Sequence, residues 1–144
     1  MQLIDTHTHI YLKDFDHDRE EVIKRAIDVG INHFFIPSID SSYHKRMFEL
    51  KKNFPNYIYL MMGLHPNYVK ENFEEELIIV EELLSEDKFF AIGEIGIDLY
   101  RDKKYLVEQQ KAFEKQILLA KSYSLPIVIH CREAFDEVFE IIEQ

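Results

Sequence analysis

The sequence predicts an α/β protein of parallel strands joined by crossover helices. Three observations carry that expectation. Apolar, strand-like runs alternate with helix-like stretches five times. The connections are short, so each helix itself makes the return that parallel pairing needs. Four of the five runs end in histidine or glutamate, and parallel α/β folds build their sites at the carboxyl ends of strands.

Residues 2–9 form the first strand, within Gln2-Leu3-Ile4-Asp5-Thr6-His7-Thr8-His9-Ile10. Side chains alternate along a strand. Asp5, His7 and His9 are therefore expected on one face, with Ile4, Thr6, Thr8 and Ile10 on the other. Residues 14–29 read as a helix, because Phe15, Val22, Ile23, Ala26, Ile27 and Val29 fall near a 3.6 period. Asp14 and Asp16 suit its first turn and Gly30 its stop. His17 and His33 are expected at the surface or at element ends.

Residues 31–37 are a nearly continuous apolar run, which fits a strand buried on both faces. Residues 38–53 follow as a second helix, with Ser38, Asp40 or Ser41 as its cap. His44, between Tyr43 and Lys45, is expected in solvent. Residues 57–62 form a third strand, ended by Gly63-Leu64-His65-Pro66. The third helix, 72–84, is acidic, and Glu74, Glu75, Glu76, Glu81 and Glu82 are expected on a solvated face.

Residues 88–92 form a fourth strand running into Gly93-Glu94-Ile95-Gly96-Ile97-Asp98. A fourth helix, 104–123, turns Phe113, Ile117, Leu118 and Ala120 inward. The fifth strand, 125–130, admits Pro126 among its first residues and ends at His130. Residues 133–142 form a fifth helix. Two architectures fit this order: a doubly wound open sheet, or part of a (β/α)8 barrel. The open sheet lacks support, since no Gly-x-Gly-x-x-Gly or P-loop follows any strand and the chain holds only 4 glycines.

Composition bounds the rest. The 144 residues are 47% hydrophobic, enough for one domain with a real core and too apolar for disorder. Lys+Arg is 17 against 27 Asp+Glu, so the net charge is −10. That excludes a non-specific, charge-driven grip on nucleic acid. It leaves a nucleic-acid substrate open, because bound cations invert the charge of a cleft. Cys131 is the only cysteine, so no intrachain disulfide forms. No apolar run reaches membrane-spanning length, and no basic segment precedes an apolar one at the N-terminus. The expected setting is soluble and cytoplasmic, with no membrane partner.

The strand ends place His7, His9, His65, Glu94 and His130 at one pole. Neutral imidazoles and carboxylates suit zinc, manganese or similar ions. A carboxylate such as Glu94 can bridge two of them. Asp98, Arg101 and Arg132 lie just beyond, where arginine suits bidentate phosphate binding. Cys131 is expected to point away from His130, since strand neighbours alternate.

These residues resemble the TatD-type deoxyribonuclease family, metal-dependent hydrolases of the amidohydrolase-like barrel class. The resemblance runs through Ile4-Asp5-Thr6-His7-Thr8-His9, Gly63-Leu64-His65-Pro66 and Ala91-Ile92-Gly93-Glu94-Ile95-Gly96-Ile97-Asp98-Leu99-Tyr100-Arg101. It continues through Gln110, Phe113 and Gln116 to Leu125-Pro126-Ile127-Val128-Ile129-His130-Cys131-Arg132-Glu133-Ala134. It departs at Asn67, where many relatives carry histidine, and at Cys131, which replaces a serine.

The resemblance implies a (β/α)8 TIM-barrel type fold, of which residues 1–144 make one domain of about five parallel βα units, the N-terminal part of the barrel. It implies two divalent metal ions (Mg, Mn or Zn), with His7 and His9 on one, Glu94 bridging both as the catalytic carboxylate, and His130 on the second. His65, Asp98, Arg101 and Arg132 are the expected substrate-binding residues. The implied reaction is exonucleolytic hydrolysis of phosphodiester bonds in DNA, acting on single strands or ends. An ester, amide or aminoacyl substrate, or an inactive module, are the alternatives the fold leaves open. The family's later histidine, and the aspartate that completes its first metal site, have no counterpart here. The 144 residues alone are therefore expected to show little activity. They are also expected to self-associate, through strand edges and a face bearing Leu3, Phe35 or Ile36, Leu60 or Met61, and Val128.

Overall fold

The computed structural model describes residues 2–143. Five strands and five helices alternate: β1 (Leu3–Asp5), α1 (Arg19–Asp28), β2 (Ile31–Pro37), α2 (Ser41–Asn53), β3 (Ile58–Met61), α3 (Phe73–Glu86), β4 (Ile92–Asp98), α4 (Leu106–Tyr123), β5 (Ile127–Arg132) and α5 (Phe135–Ile142). All pairing is parallel. β1, β2 and β3 form one sheet and β4 and β5 another. A Met62–Ile92 bridge and flanking backbone hydrogen bonds such as Gly93 N–H to the Met62 carbonyl join them, so the strands follow chain order.

The core lies between strands and helices. Phe34, Ile36, Ile58, Leu60, Ile92, Ile95 and Ile97 are buried under Ile23, Met47, Leu84 and Phe113. The opposite face carries aromatic rings. Phe35 stacks on Tyr59 at 5.4 Å, and Phe90 meets Tyr59 edge-on at 4.6 Å. On that face Leu3 and Phe90 are exposed and Phe35 lies among the rings, whereas Ile36 and Leu60 sit on the core side and Met61 is buried. The last three therefore do not belong to the open surface expected of them. α4 turns Phe113, Leu119 and Ala120 into the core and leaves Leu118 exposed, one residue off the expected register.

Several boundaries differ from the sequence reading, among them α2, which starts at Ser41, and β5, which runs Ile127–Arg132 and leaves Pro126 outside; three others bear on the site. β1 stops at Asp5, so His7 and His9 lie on the exit from the strand rather than on one of its faces. The first helix opens as a 3-10 turn (Lys13–Phe15), and α1 begins only at Arg19. The Arg19 guanidinium donates to the carbonyls of Ile10 at 2.7 Å and Leu12 at 2.7 Å, holding the segment after His9 in place of a continuous helix. Arg46 Nε donates to the Tyr11 carbonyl at 2.7 Å and reinforces it. β4 spans Ile92–Asp98, so Glu94 and Asp98 sit within the strand, not after it. Gly93 and Gly96 permit this by letting β5 approach closely: a Cβ at Gly93 would meet that of Val128 at 2.7 Å.

His44 is buried, not solvated. It shares the inner face of α2 with Met47 and Leu50, and its Nε2 lies 3.0 Å from Ser38 Oγ. Glu76 is also not merely solvated; it accepts the Ser41 N–H at 2.9 Å and hydroxyl at 2.8 Å.

Burial holds the His44 pKa below its ordinary 6.5, against the opposing pull of Glu76 and Asp40. The unfolded chain therefore takes this proton first. Stability tied to His44 is complete above about pH 6.5 and drains as pH falls through the folded-state value. His44→Gln is expected to flatten the loss of stability between pH 7.5 and 5.5, by at most about 1.4 kcal/mol per pH unit. Urea midpoints across that range measure it, and equal slopes in both proteins would contradict the assignment.

Candidate metal centre

The centre assembles from the exits of β1 and β3 and from β4 and β5. Glu94, buried on β4, is its hub. Its Oε2 lies 3.0 Å from His7 Nε2 and 3.2 Å from His9 Nε2, and the two imidazole nitrogens are 3.3 Å apart. Its Oε1 lies 2.9 Å from His130 Nδ1 and 3.6 Å from His65 Nε2. Burial works against the Glu94 carboxylate. The hydrogen bond with His130 and the other histidines gathered around it outweigh burial and hold its pKa well below the usual carboxylate range.

The donor set fits a divalent ion at His7, His9 and Glu94. Ligands of a tetrahedral ion at about 2.0–2.1 Å lie about 3.3–3.4 Å from one another. The three donor atoms here already stand 3.0, 3.2 and 3.3 Å apart.

Hydrogen-bond bookkeeping assigns the histidine tautomers. The Tyr11 hydroxyl donates to the Pro37 carbonyl at 2.8 Å, so toward His9 Nδ1, at 2.9 Å, it can only accept. That puts the His9 proton on Nδ1 and leaves Nε2 bare toward His7 and Glu94. Burial raises the Tyr11 pKa far above its ordinary 10.0, so the hydroxyl keeps its proton. Tyr11→Phe is expected to lower metal affinity about 10–100-fold, as loss of an orienting partner does. Calorimetric titration measures it, and an unchanged affinity would show that His9 needs no such partner.

His65 is held in the other tautomer. Its Nδ1 accepts the Asn67 N–H at 3.1 Å, so a neutral ring carries its proton on Nε2, the atom facing Glu94. Burial, opposed by Glu94, pushes its pKa down to about 4 and keeps it neutral near pH 7. His65, Glu94 and His130 lie close enough to be counted as a second ligand group. In this tautomer, however, His65 is a hydrogen-bond donor, and the second group offers only Glu94 Oε1 and His130 Nδ1. His130 Nε2 lies 2.7 Å from Asp98 Oδ2, a carboxylate–histidine pair of the kind that turns the other nitrogen toward a metal. The hydrogen bond to Glu94, with burial opposing, raises the His130 pKa.

Of the other predicted residues, Arg101 is exposed and lines a cavity of ≈ 180 Å³ with Asn67, Lys70, Asp98 and Asp102. Arg132 is exposed and lies over Tyr100. Neither reaches Glu94 by hydrogen bond or ion pair among the described residues. Cys131 is half-buried and packs against the core, and burial raises its thiol pKa.

Sequence reasoning gave no role to the two residues that hold the centre in place, Gln109 and Gln116, and named only Gln116, within the resemblance. Gln109 accepts the Asp98 N–H at 2.8 Å and donates to the Asp98 carbonyl at 3.2 Å. Gln116 clips Leu64 in the same way, at 2.7 and 3.2 Å. Two buried glutamines on one helix, seven residues apart, were the available signal.

Comparison with known proteins agrees with this geometry. The family model described as TatD related DNase matches residues 4–144. An uncharacterized metal-dependent hydrolase from Bacillus subtilis, YabD, is 36% identical over 99% of this chain and 55% of its own length. A 3'-5' ssDNA/RNA exonuclease TatD from Erwinia tasmaniensis is 30% identical over 98% of this chain and 54% of its own. The crystal structure of YjjV, a TatD homologue from Escherichia coli, superposes with a TM-score of 0.88 at 30% identity, over 98% of this chain and 55% of that one. The chain thus spans about half the length of the relatives it matches.

Proposed function

The chain belongs to the TatD-related DNase family of metal-dependent hydrolases, and from that premise we propose that it carries the catalytic pole of a nuclease hydrolysing phosphodiester bonds in DNA. The observation that carries this reading is the convergence of His7 Nε2, His9 Nε2 and Glu94 Oε2 within 3.3 Å around a buried carboxylate. In this reading residues 1–144 form one domain, the first five βα units of a (β/α)8 barrel. His7, His9 and Glu94 would hold one ion (Mg, Mn or Zn), and Glu94 and His130 would contribute donors to a second. When bound, the ions activate water and neutralise charge that develops on phosphorus.

The chain's own residues do the rest. Glu94, kept ionised, ties both positions together. Asp98 orients His130. His65 presents its Nε2 proton to a phosphate oxygen. Arg101 and Arg132, on the rim, bind backbone phosphate as planar donors. With two protein donors at the second position, His130 Nδ1 and Glu94 Oε1, the 144 residues are expected to have little turnover of their own. The aromatic face around Phe35, Tyr59 and Phe90, beside the open edges of β1 and β5, supports association of chains. Light scattering showing a compact monomer at high concentration would contradict that part.

The test is nucleotide release from single-stranded DNA with Mg²⁺, Mn²⁺ or Zn²⁺, beside a panel of simple esters. Weak release by this chain is expected. Supplying the remaining βα units of its relatives should give strong, EDTA-sensitive release that Glu94→Ala abolishes, and His65→Ala should mainly raise KM. Robust release by the 144 residues alone would place the essential ligands elsewhere. Ester turnover without nucleotide release would overturn the phosphodiester reading.

A further inference from the structure

We infer that Tyr100 and Arg132 form a stacking platform for an unpaired nucleobase beside the metal centre. The inference rests on the nucleic-acid reading above and adds to it the part of the substrate that is recognised.

The two side chains leave the protein at one level. Asp98 and Arg132 are register partners of β4 and β5, and the Leu99 N–H donates to the Arg132 carbonyl at 2.9 Å. The Tyr100 N–H donates to Asp98 Oδ1 at 3.0 Å, and the other oxygen of that carboxylate holds His130. A single carboxylate thus fixes both the start of the platform and a candidate ligand.

The Arg132 guanidinium carbon lies 3.5 Å from the centroid of the Tyr100 ring. Tyr100 is nonetheless 54% exposed. One ring face is covered by the cation, and substantial ring surface remains open. In a chain of net charge −10, with Glu133 and Asp136 close by in sequence, Arg132 still makes no ion pair among the described residues, unlike Arg19, Arg25 and Arg46. Its N–H edge is therefore unspent.

An open aromatic face next to a guanidinium edge matches one nucleotide unit: a base on the ring and its phosphate on the cation. Stacking tolerates any base, because every base has a π face. Bases in a duplex have both faces occupied, so the platform selects single strands or frayed ends. It also gives an acidic protein affinity that does not depend on a basic stripe.

The test compares binding of a short single-stranded DNA containing 2-aminopurine with an abasic strand of equal length, in Mn²⁺ and in a parallel EDTA series. The wild-type chain is expected to bind the base-bearing strand about ten-fold more tightly and to quench its fluorescence. Tyr100→Ala should remove both the preference and the quench while metal affinity stays unchanged. Tyr100→Phe should keep them. Arg132→Lys, which keeps the charge without the planar group, should lose part of the preference. A full preference in Tyr100→Ala would overturn the platform. If the wild type binds both strands alike, the platform is wrong and the nucleic-acid reading stands. If neither strand binds while metal does, the nucleic-acid reading fails and takes the platform with it.

Discussion

Glu94→Ala is expected to weaken divalent-metal binding by at least about 100-fold while the chain stays folded. One oxygen of Glu94 meets His7 and His9 and the other meets His130, so a single truncation strips both ligand groups. The fold should survive, because the Glu94 N–H still donates to the Ser38 carbonyl and Ile92, Ile95 and Ile97 remain buried around it. Glu94→Gln keeps the shape but removes the negative charge, and should lose nearly as much. Calorimetric titration with Zn²⁺ or Mn²⁺ measures the effect, with circular dichroism as the check on folding. Wild-type affinity in Glu94→Ala would remove Glu94 from its central place.

Gly96→Ala is expected to unfold the chain or to cost about 4 kcal/mol or more, at the far end of single-substitution effects. Gly96 has φ of +140°, which side-chain-bearing residues rarely adopt. A Cβ there would lie 2.0 Å from the His130 carbonyl oxygen. That oxygen belongs to the β5 backbone and cannot rotate aside, so relief requires β4 and β5 to part. The two strands carry Glu94, Asp98 and His130, and metal binding should fall with stability. Soluble yield and thermal midpoint report the outcome. A stable Gly96→Ala chain would mean that β4 and β5 lie farther apart than described.

The β/α alternation was legible because its signals are local: period-2 and period-3.6 apolar patterns, and glycines at turns. The candidate ligands were legible because each histidine or glutamate closes an apolar run, where filler is rarely charged. What failed was the geometry between elements. That the first long helix starts only at Arg19 depends on the Arg19 and Arg46 side chains reaching back to the carbonyls of residues 10–12, which no periodicity displays. The length of β4 depends on two glycines whose value lies in the approach of a neighbouring strand. His44 was misread from its charged neighbours Lys45 and Arg46, although its spacing of three from Met47 marked the buried face. Tyr11 was invisible as an orienting group until its hydroxyl could be followed to both Pro37 and His9.

The central claim is that a divalent ion sits between His7, His9 and Glu94. Anomalous scattering from crystals of the chain grown with Mn²⁺ or Zn²⁺ tests it most directly. The expected result is a strong peak at coordinating distance, about 2.0–2.2 Å, from Nε2 of His7, Nε2 of His9 and a carboxylate oxygen of Glu94, with His65 Nε2 outside its shell. A principal peak coordinated by His65 Nε2, or none within reach of His7 and His9, would contradict it.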